Sequence, residues 1–201
     1  MARPREFDLE EALDRAMDVF WVKGFEAASL QDLLGAMKIA RGSLYKAFKD
    51  KHSIYLAALD RYDRTVVQQA VAALCNAGGG DGIARIRRLL EGARDAVASR
   101  NDRRGCFMCN AAIDQAPADA AVQKRVMAMM KRLERAFATA LKESKRAVRW
   151  PAKRRTQTAR LLLNSYMGLR VLARSGYAAA DLAGIIVACL ENGGLQPARR
   201  A

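Results

Sequence analysis

The sequence holds a single histidine, His52, and only four cysteines in 201 residues. A structural zinc site wants four nitrogen or sulfur ligands, and no such cluster is spelled out, so no metal and no other cofactor is expected. Four cysteines in a chain of this size do not make a disulfide scaffold, which fits a reducing compartment. Proline and glycine are few, at four and fourteen. Runs of β-branched residues and alternating apolar–polar patterns are nearly absent, while Ala, Leu, Arg and Met abound, so the chain should be all-α. The longest apolar run, near Ile185–Leu190, is far shorter than the ~20 residues a membrane span needs. Arg3 and Arg5 are followed by no apolar leader segment. The expected location is the cytoplasm, with no membrane contact. A phosphate-cradling loop, an evident general base and site-like paired carboxylates are also missing, so the chain is not expected to be an enzyme.

Charge is present in excess but unevenly. The formal net charge is +14, yet residues 1–60 carry nine Lys/Arg against ten Asp/Glu. The basic surplus lies in the other 141 residues, where it either steers the protein toward nucleic acid non-specifically or keeps it soluble. More telling is the sidedness of the first sixty residues. Glu6, Asp8, Glu10, Glu11, Asp14 and Asp18 crowd one helical stretch, while Lys38, Arg41, Lys46, Lys49 and Lys51 gather further on.

That second cluster sits in two short helices joined by a tight corner. Ser29 is a good N-cap, and Asp32 three residues later places an acid in the first turn, close to a capping box. Leu30, Leu33 and Leu34 share one face, Ala36–Ala40 form the corner, and Leu44 and Phe48 lie one turn apart on the inner side of the second helix. The opposite face carries Arg41, Ser43, Tyr45, Lys46 and Lys49. A short helix whose free face mixes cations, a hydroxyl and an aromatic suits a DNA major groove, so these residues form a helix-turn-helix.

In that reading Arg41 reaches guanine or clamps a phosphate. Gly42 allows close backbone approach, and Ser43 and Tyr45 offer hydroxyls, Tyr45 also packing on a thymine methyl or a sugar. Lys46 and Lys51 contact phosphates, Ser29 holds another from the start of the scaffold helix, and Lys38 and Lys49 add charge. The N-terminus of the helix that starts near Ala40 points its free N–H groups at the backbone.

The run Phe20-Trp21-Val22-Lys23-Gly24-Phe25-Glu26-Ala27-Ala28-Ser29-Leu30, followed by Arg41-Gly42-Ser43-Leu44-Tyr45 with Phe48 and Lys51 in register, resembles the TetR family of one-component transcriptional regulators. The resemblance covers roughly residues 5–65. A later segment, Gly105-Cys106-Phe107-Met108-Cys109-Asn110-Ala111-Ala112, resembles one branch of that family. Three positions depart from the family pattern. Lys38 stands where a glycine is usual and implies a left-handed residue costing ~1 kcal/mol. Ala40 replaces the usual Ser or Thr-like cap, and Ala47 replaces a His or Tyr that touches phosphate.

The resemblance implies a three-helix DNA-binding head and a six-helix ligand-binding and dimerisation body. The head is expected over residues 1–50, reaching about 65 with the connecting helix, the body over 51–195, and a disordered tail over 196–201. Met1–Phe7 reads as a basic arm. Helical stretches follow at about 8–24, 51–75, 81–99, to 114, to 145, 151–174, and a last one with Leu182, Ile185, Ile186, Cys189 and Leu190 in one stripe. The segment 161–172 is too apolar all round to face water, and the resemblance implies that the last two helices pair with a partner's. The dimer residues expected are Leu162, Tyr166, Leu169, Leu182, Ile185, Ile186 and Cys189.

Members of the family generally bind a small molecule in the body, which then moves the two heads. Met108, Met129, Met130, Phe137 and Tyr166 are candidate pocket residues, with plain core packing the alternative. Cys106 and Cys109 share a helical face, with Arg103 and Arg104 within a turn. They are either a candidate thiol sensor or small core residues. The function expected is a homodimeric regulator of a palindromic double-stranded operator, in the manner of a repressor released by an unidentified small molecule or by cysteine modification. The alternatives are a thiol oxidoreductase built on Cys106 and Cys109, or a basic helical protein that coats nucleic acid non-specifically.

Overall fold

The computed structural model describes residues 8–100 and 102–196. The basic arm Met1–Phe7 and the tail from residue 197 onward lie outside the described residues. Those described form no strand, and the order is α1 (Leu9–Ala27), α2 (Leu30–Met37), α3 (Arg41–Ala47), α4 (Lys51–Tyr62), α5 (Gln68–Cys75), α6 (Gly82–Arg100), α7 (Phe107–Asp114), α8 (Ala120–Lys142), α9 (Ala152–Arg174) and α10 (Ala179–Asn192). The expected helix at 51–75 is α4 and α5 joined by a π turn at Asp63–Val67. Within that rod Thr65 Oγ1 donates to the Arg61 carbonyl at 2.9 Å. Counted as one rod, it brings the described residues to nine helices.

The chain divides into two compact units. One runs to Thr65 and takes in Phe107–Val126; the other holds Val66–Cys106 and the chain from Met127 on. In the first unit α1 packs on α2, α4 and α7. Its centre is aromatic: the Phe20 ring meets Tyr55 edge-on at 5.0 Å, Trp21 meets Tyr62 at 5.0 Å, and Phe107 meets Tyr55 at 5.5 Å and Tyr62 at 5.7 Å. Phe107 thus draws α7, expected in the body, into the unit that holds the head. Gly24 lets α1 turn at its end, with φ +77°, so Phe25 folds back onto Tyr55 at 5.0 Å.

In the second unit α6 packs on α5, α9 and α10, and α9 on α10. The inner faces of α9 and α10 are Leu162, Tyr166, Leu169, Leu182, Ile186 and Cys189, all buried within this single chain. Six of the seven expected dimer residues therefore belong to the chain's own core, and Ile185 is half-buried. The strongest apolar stripe of a helix is the one that packs first, and periodicity alone does not show which face a partner meets. The opposite side leaves Leu161 and Val171, each 42% exposed, on α9, and Gly184 and Ala188 on α10.

Candidate nucleic-acid interface

The corner between α2 and α3 is built by short-range polar bonds. Ser29 Oγ accepts from the Asp32 N–H at 3.0 Å, and Asp32 Oδ2 accepts from the Ser29 N–H at 2.9 Å and from its hydroxyl at 2.8 Å. This is the capping box expected, with an outside partner added: Lys23 Nζ from α1 lies 2.7 Å from Asp32 Oδ1. That ammonium, then the Ser29 N–H and hydroxyl, hold the Asp32 carboxyl far below its ordinary range. Asp50 caps α4 in the same way, accepting from the Ser53 N–H at 2.7 Å, and this bond foremost lowers its carboxyl.

Both carboxyls are depressed in the folded state. Their contribution is therefore complete above the unfolded Asp value of about 3.9 and is lost as pH falls through the lower folded values. Thermal melts should show stability falling once the pH drops below about 4. Asp32→Asn should fall less steeply there, because one of the two groups no longer titrates.

Lys38 closes α2 in the left-handed region, φ 55° and ψ 41°, as the departure from glycine implied. Ala40, the residue before α3, supplies no side-chain cap. Leu44 is wholly buried and fastens the helix to the head. Phe48 lies just past the helix and is half-buried, so its share of the core is smaller than expected. Arg41, Gly42, Tyr45 and Lys46 are exposed on α3, Ser43 is half-buried, and Lys38 and Lys49 are exposed at its two ends. The Arg41 guanidinium stands 5.9 Å from the Tyr45 ring centroid, which aligns the two side chains along one face. A Cβ added at Gly42 meets nothing within 4 Å, so nothing inside the fold requires glycine there.

Two expected contact residues are engaged within the chain. The Ser29 hydroxyl is committed to Asp32, and Lys51 is half-buried, its ammonium 4.5 Å from the Phe25 ring centroid and 3.4 Å from the Glu26 carbonyl. Three acids of α1 are also occupied. Asp14 Oδ1 takes Arg61 Nε at 2.7 Å, Glu10 pairs with the same guanidinium, and Glu11 pairs with Arg15. Lys23 and Arg61, which brace the head, carry no local signal, since their partners lie 9 and 47 residues away. The same holds for His52, whose Nε2 lies 2.5 Å from Asp119 Oδ2.

The other candidate residues lie apart from this face. Met129, Phe137 and Tyr166 are buried in the second unit and Met130 is half-buried there, with the Phe137 and Tyr166 rings 6.4 Å apart. Met108 is buried in the first unit. Neither the cleft of about 400 Å³ walled by α1 and α2 nor the one of about 440 Å³ beside α6 is lined by them. Cys106 and Cys109 are each 3% exposed. Arg104 Nε is on Asp102 at 3.0 Å, and Arg103 donates to the carbonyls of Ala173 and Tyr177. Cys75 is the exposed cysteine, and partial burial, then Glu143, push its thiol up rather than down.

Residues 12–58 match the family model of bacterial regulatory proteins of the tetR family, and residues 82–185 match that of the tetracyclin repressor-like C-terminal domain. The chain belongs to the TetR family. This TetR-family chain is 33% identical over 139 residues to the uncharacterized HTH-type transcriptional regulator YezE of Bacillus subtilis, covering 68% of this chain and 70% of that one. It is 34% identical over 109 residues to the HTH-type transcriptional repressor ComR of Escherichia coli, covering 54% and 51%. Its fold matches the TetR-family regulator CifR, solved as a cysteine mutant with 26-base-pair double-strand operator DNA, at a TM-score of 0.80 and 30% identity over 94% of this chain and 98% of that one. Among the described residues no helix is long and apolar enough to cross a membrane.

Proposed function

We propose that the protein is a homodimeric repressor that reads a palindromic operator with α3 of each head, in the cytoplasm, and releases it when a small molecule binds the helical body. The observation that carries this reading is the face of α3, where Arg41, Gly42, Tyr45 and Lys46 are exposed around the buried anchor Leu44. A single helix of this length reads only a few base pairs, so two copies related by a two-fold axis are the physical route to specificity. The repressor ComR and the operator-bound CifR support the assignment by similarity. The exposed stripe of Leu161, Val171, Gly184 and Ala188 supplies small and apolar positions for a second copy. Release by a small molecule is favoured over release by Cys106 or Cys109 because both thiols are buried.

The test is fluorescence anisotropy on DNA from upstream of the protein's own gene, with random duplex as competitor at matched salt, for the wild type and Gly42→Ala. The wild type should resist the competitor. Gly42→Ala should melt at the same temperature or be stabilised by up to ~1 kcal/mol, yet bind the operator more weakly, because its methyl stands between backbone and DNA. A wild type displaced equally well by random duplex, with Gly42→Ala binding as tightly, would sink the reading.

A further inference from the structure

The cleft of about 440 Å³ between α5, the turn at 76–80 and α6 has two unlike sides. Ala73, Leu89 and Gly92 give it apolar lining, and Asn76, Gly79, Arg85 and Arg88 complete it. Arg85 is 2% exposed, and its Nη2 donates to Glu143 Oε2 at 2.6 Å. Its Nε and Nη1 are buried and meet no acceptor within the fold. A guanidinium carries five donors and does not shed its charge. Leaving buried donors unmatched is costly, and folds tolerate it where water or another molecule supplies the acceptor.

Arg88, three residues on and exposed, holds the Gly79 carbonyl with Nη2 at the rim of the same cleft. Glu143 balances one of the two charges, so the site keeps a net positive charge. A Cβ at Gly79 would stand 3.1 Å from Arg88 Nη2 and 3.4 Å from Arg85 Cδ. Glycine at 79 thus keeps side-chain bulk off both arginines.

We propose that this cleft binds a small organic carboxylate, its charged end on Arg85 and Arg88 and its short apolar body along Ala73, Leu89 and Gly92. The apolar side selects against a bare inorganic anion, which has nothing to place there. The unmatched donors select against a neutral apolar molecule.

Isothermal titration of the full-length protein with butyrate, benzoate and inorganic phosphate at matched ionic strength tests this. Arg85 is a poor probe, because removing it leaves Glu143 without its partner. Arg88→Gln and Gly92→Leu are better. Arg88 is exposed, and a Cβ at Gly92 meets nothing within 4 Å, so a leucine there fills the cleft without disturbing the helix. One of the carboxylates should bind saturably, one per chain. It should bind at least about tenfold more weakly to Arg88→Gln, as loss of a charge-assisted contact implies, and not at all to Gly92→Leu. Phosphate should bind more weakly than the carboxylate.

Any of three results would overturn the proposal. With no saturable heat from either carboxylate, water is the acceptor that Arg85 uses. Binding that ignores both substitutions places the ligand elsewhere, and phosphate binding as tightly as the carboxylates makes the ligand class wrong.

Discussion

Replacing Arg41 by alanine should abolish discrimination between the operator and random DNA while leaving the thermal midpoint where it was. Arg41 is exposed, sits in the first turn of α3, and makes its one described contact inside the chain with the Tyr45 ring. Removing it takes nothing from the core, which Leu44 holds. A bidentate arginine–guanine contact discriminates by about 1–3 kcal/mol. Two heads on one palindrome would double that to about 2–6 kcal/mol, or between roughly 30-fold and 20,000-fold in affinity. Binding to random duplex should weaken far less, because the exposed ammonium groups of Lys38, Lys46 and Lys49 keep their charge. Anisotropy with both duplexes, alongside a melting curve, reads the three quantities together. Equal losses on both duplexes would assign Arg41 to a phosphate instead.

The second large effect concerns stability and lies far along the sequence from α3. Gly82→Ala should lower the thermal midpoint by roughly 6–12 °C, from an overpacking cost of about 3 kcal/mol at ~2–4 °C per kcal/mol for a chain of this length. An ideal Cβ at Gly82 would stand 1.7 Å from the Ala140 carbonyl oxygen and 2.7 Å from its carbon. Both are backbone atoms of α8, so no rotamer change relieves the clash, and one of the two helices must move. Gly35→Ala in α2, where the added Cβ meets nothing within 4 Å, is the matched control and should melt no lower than wild type. Differential scanning calorimetry on the three proteins decides it, and equal midpoints for Gly82→Ala and wild type would show that α6 and α8 do not cross so closely.

The contrast between these two sites explains what could be read from the residue order. Ser29 with Asp32, the left-handed Lys38 and the uncapped Ala40 all depend on neighbours a few residues away, and each is found where local chemistry put it. Helix number and type followed from periodicity for the same reason. Contacts between distant residues left no such trace. Gly82 looks like an ordinary helix start until Ala140 is brought against it. Phe107 looks like a body residue until it stands among Tyr55 and Tyr62. On α9 and α10 the apolar stripe was visible, but whether it faces α6 or a second copy is a question of tertiary packing. The commitment of Lys51 to Phe25 and Glu26, and the unmatched donors of Arg85, are likewise products of the fold.

α3 is seven residues long, carries no cap at Ala40, and is fixed by one wholly buried side chain. Detaching it would expose little apolar surface, so hydrogen exchange should find its amides opening at a free energy well below that of the longer helices of the head. DNA then meets a reader that is only partly settled, and closing it offsets some of the contact energy gained. Two operator sequences that offer the same hydrogen bonds can thus differ in affinity, because one of them holds the helix shut better than the other.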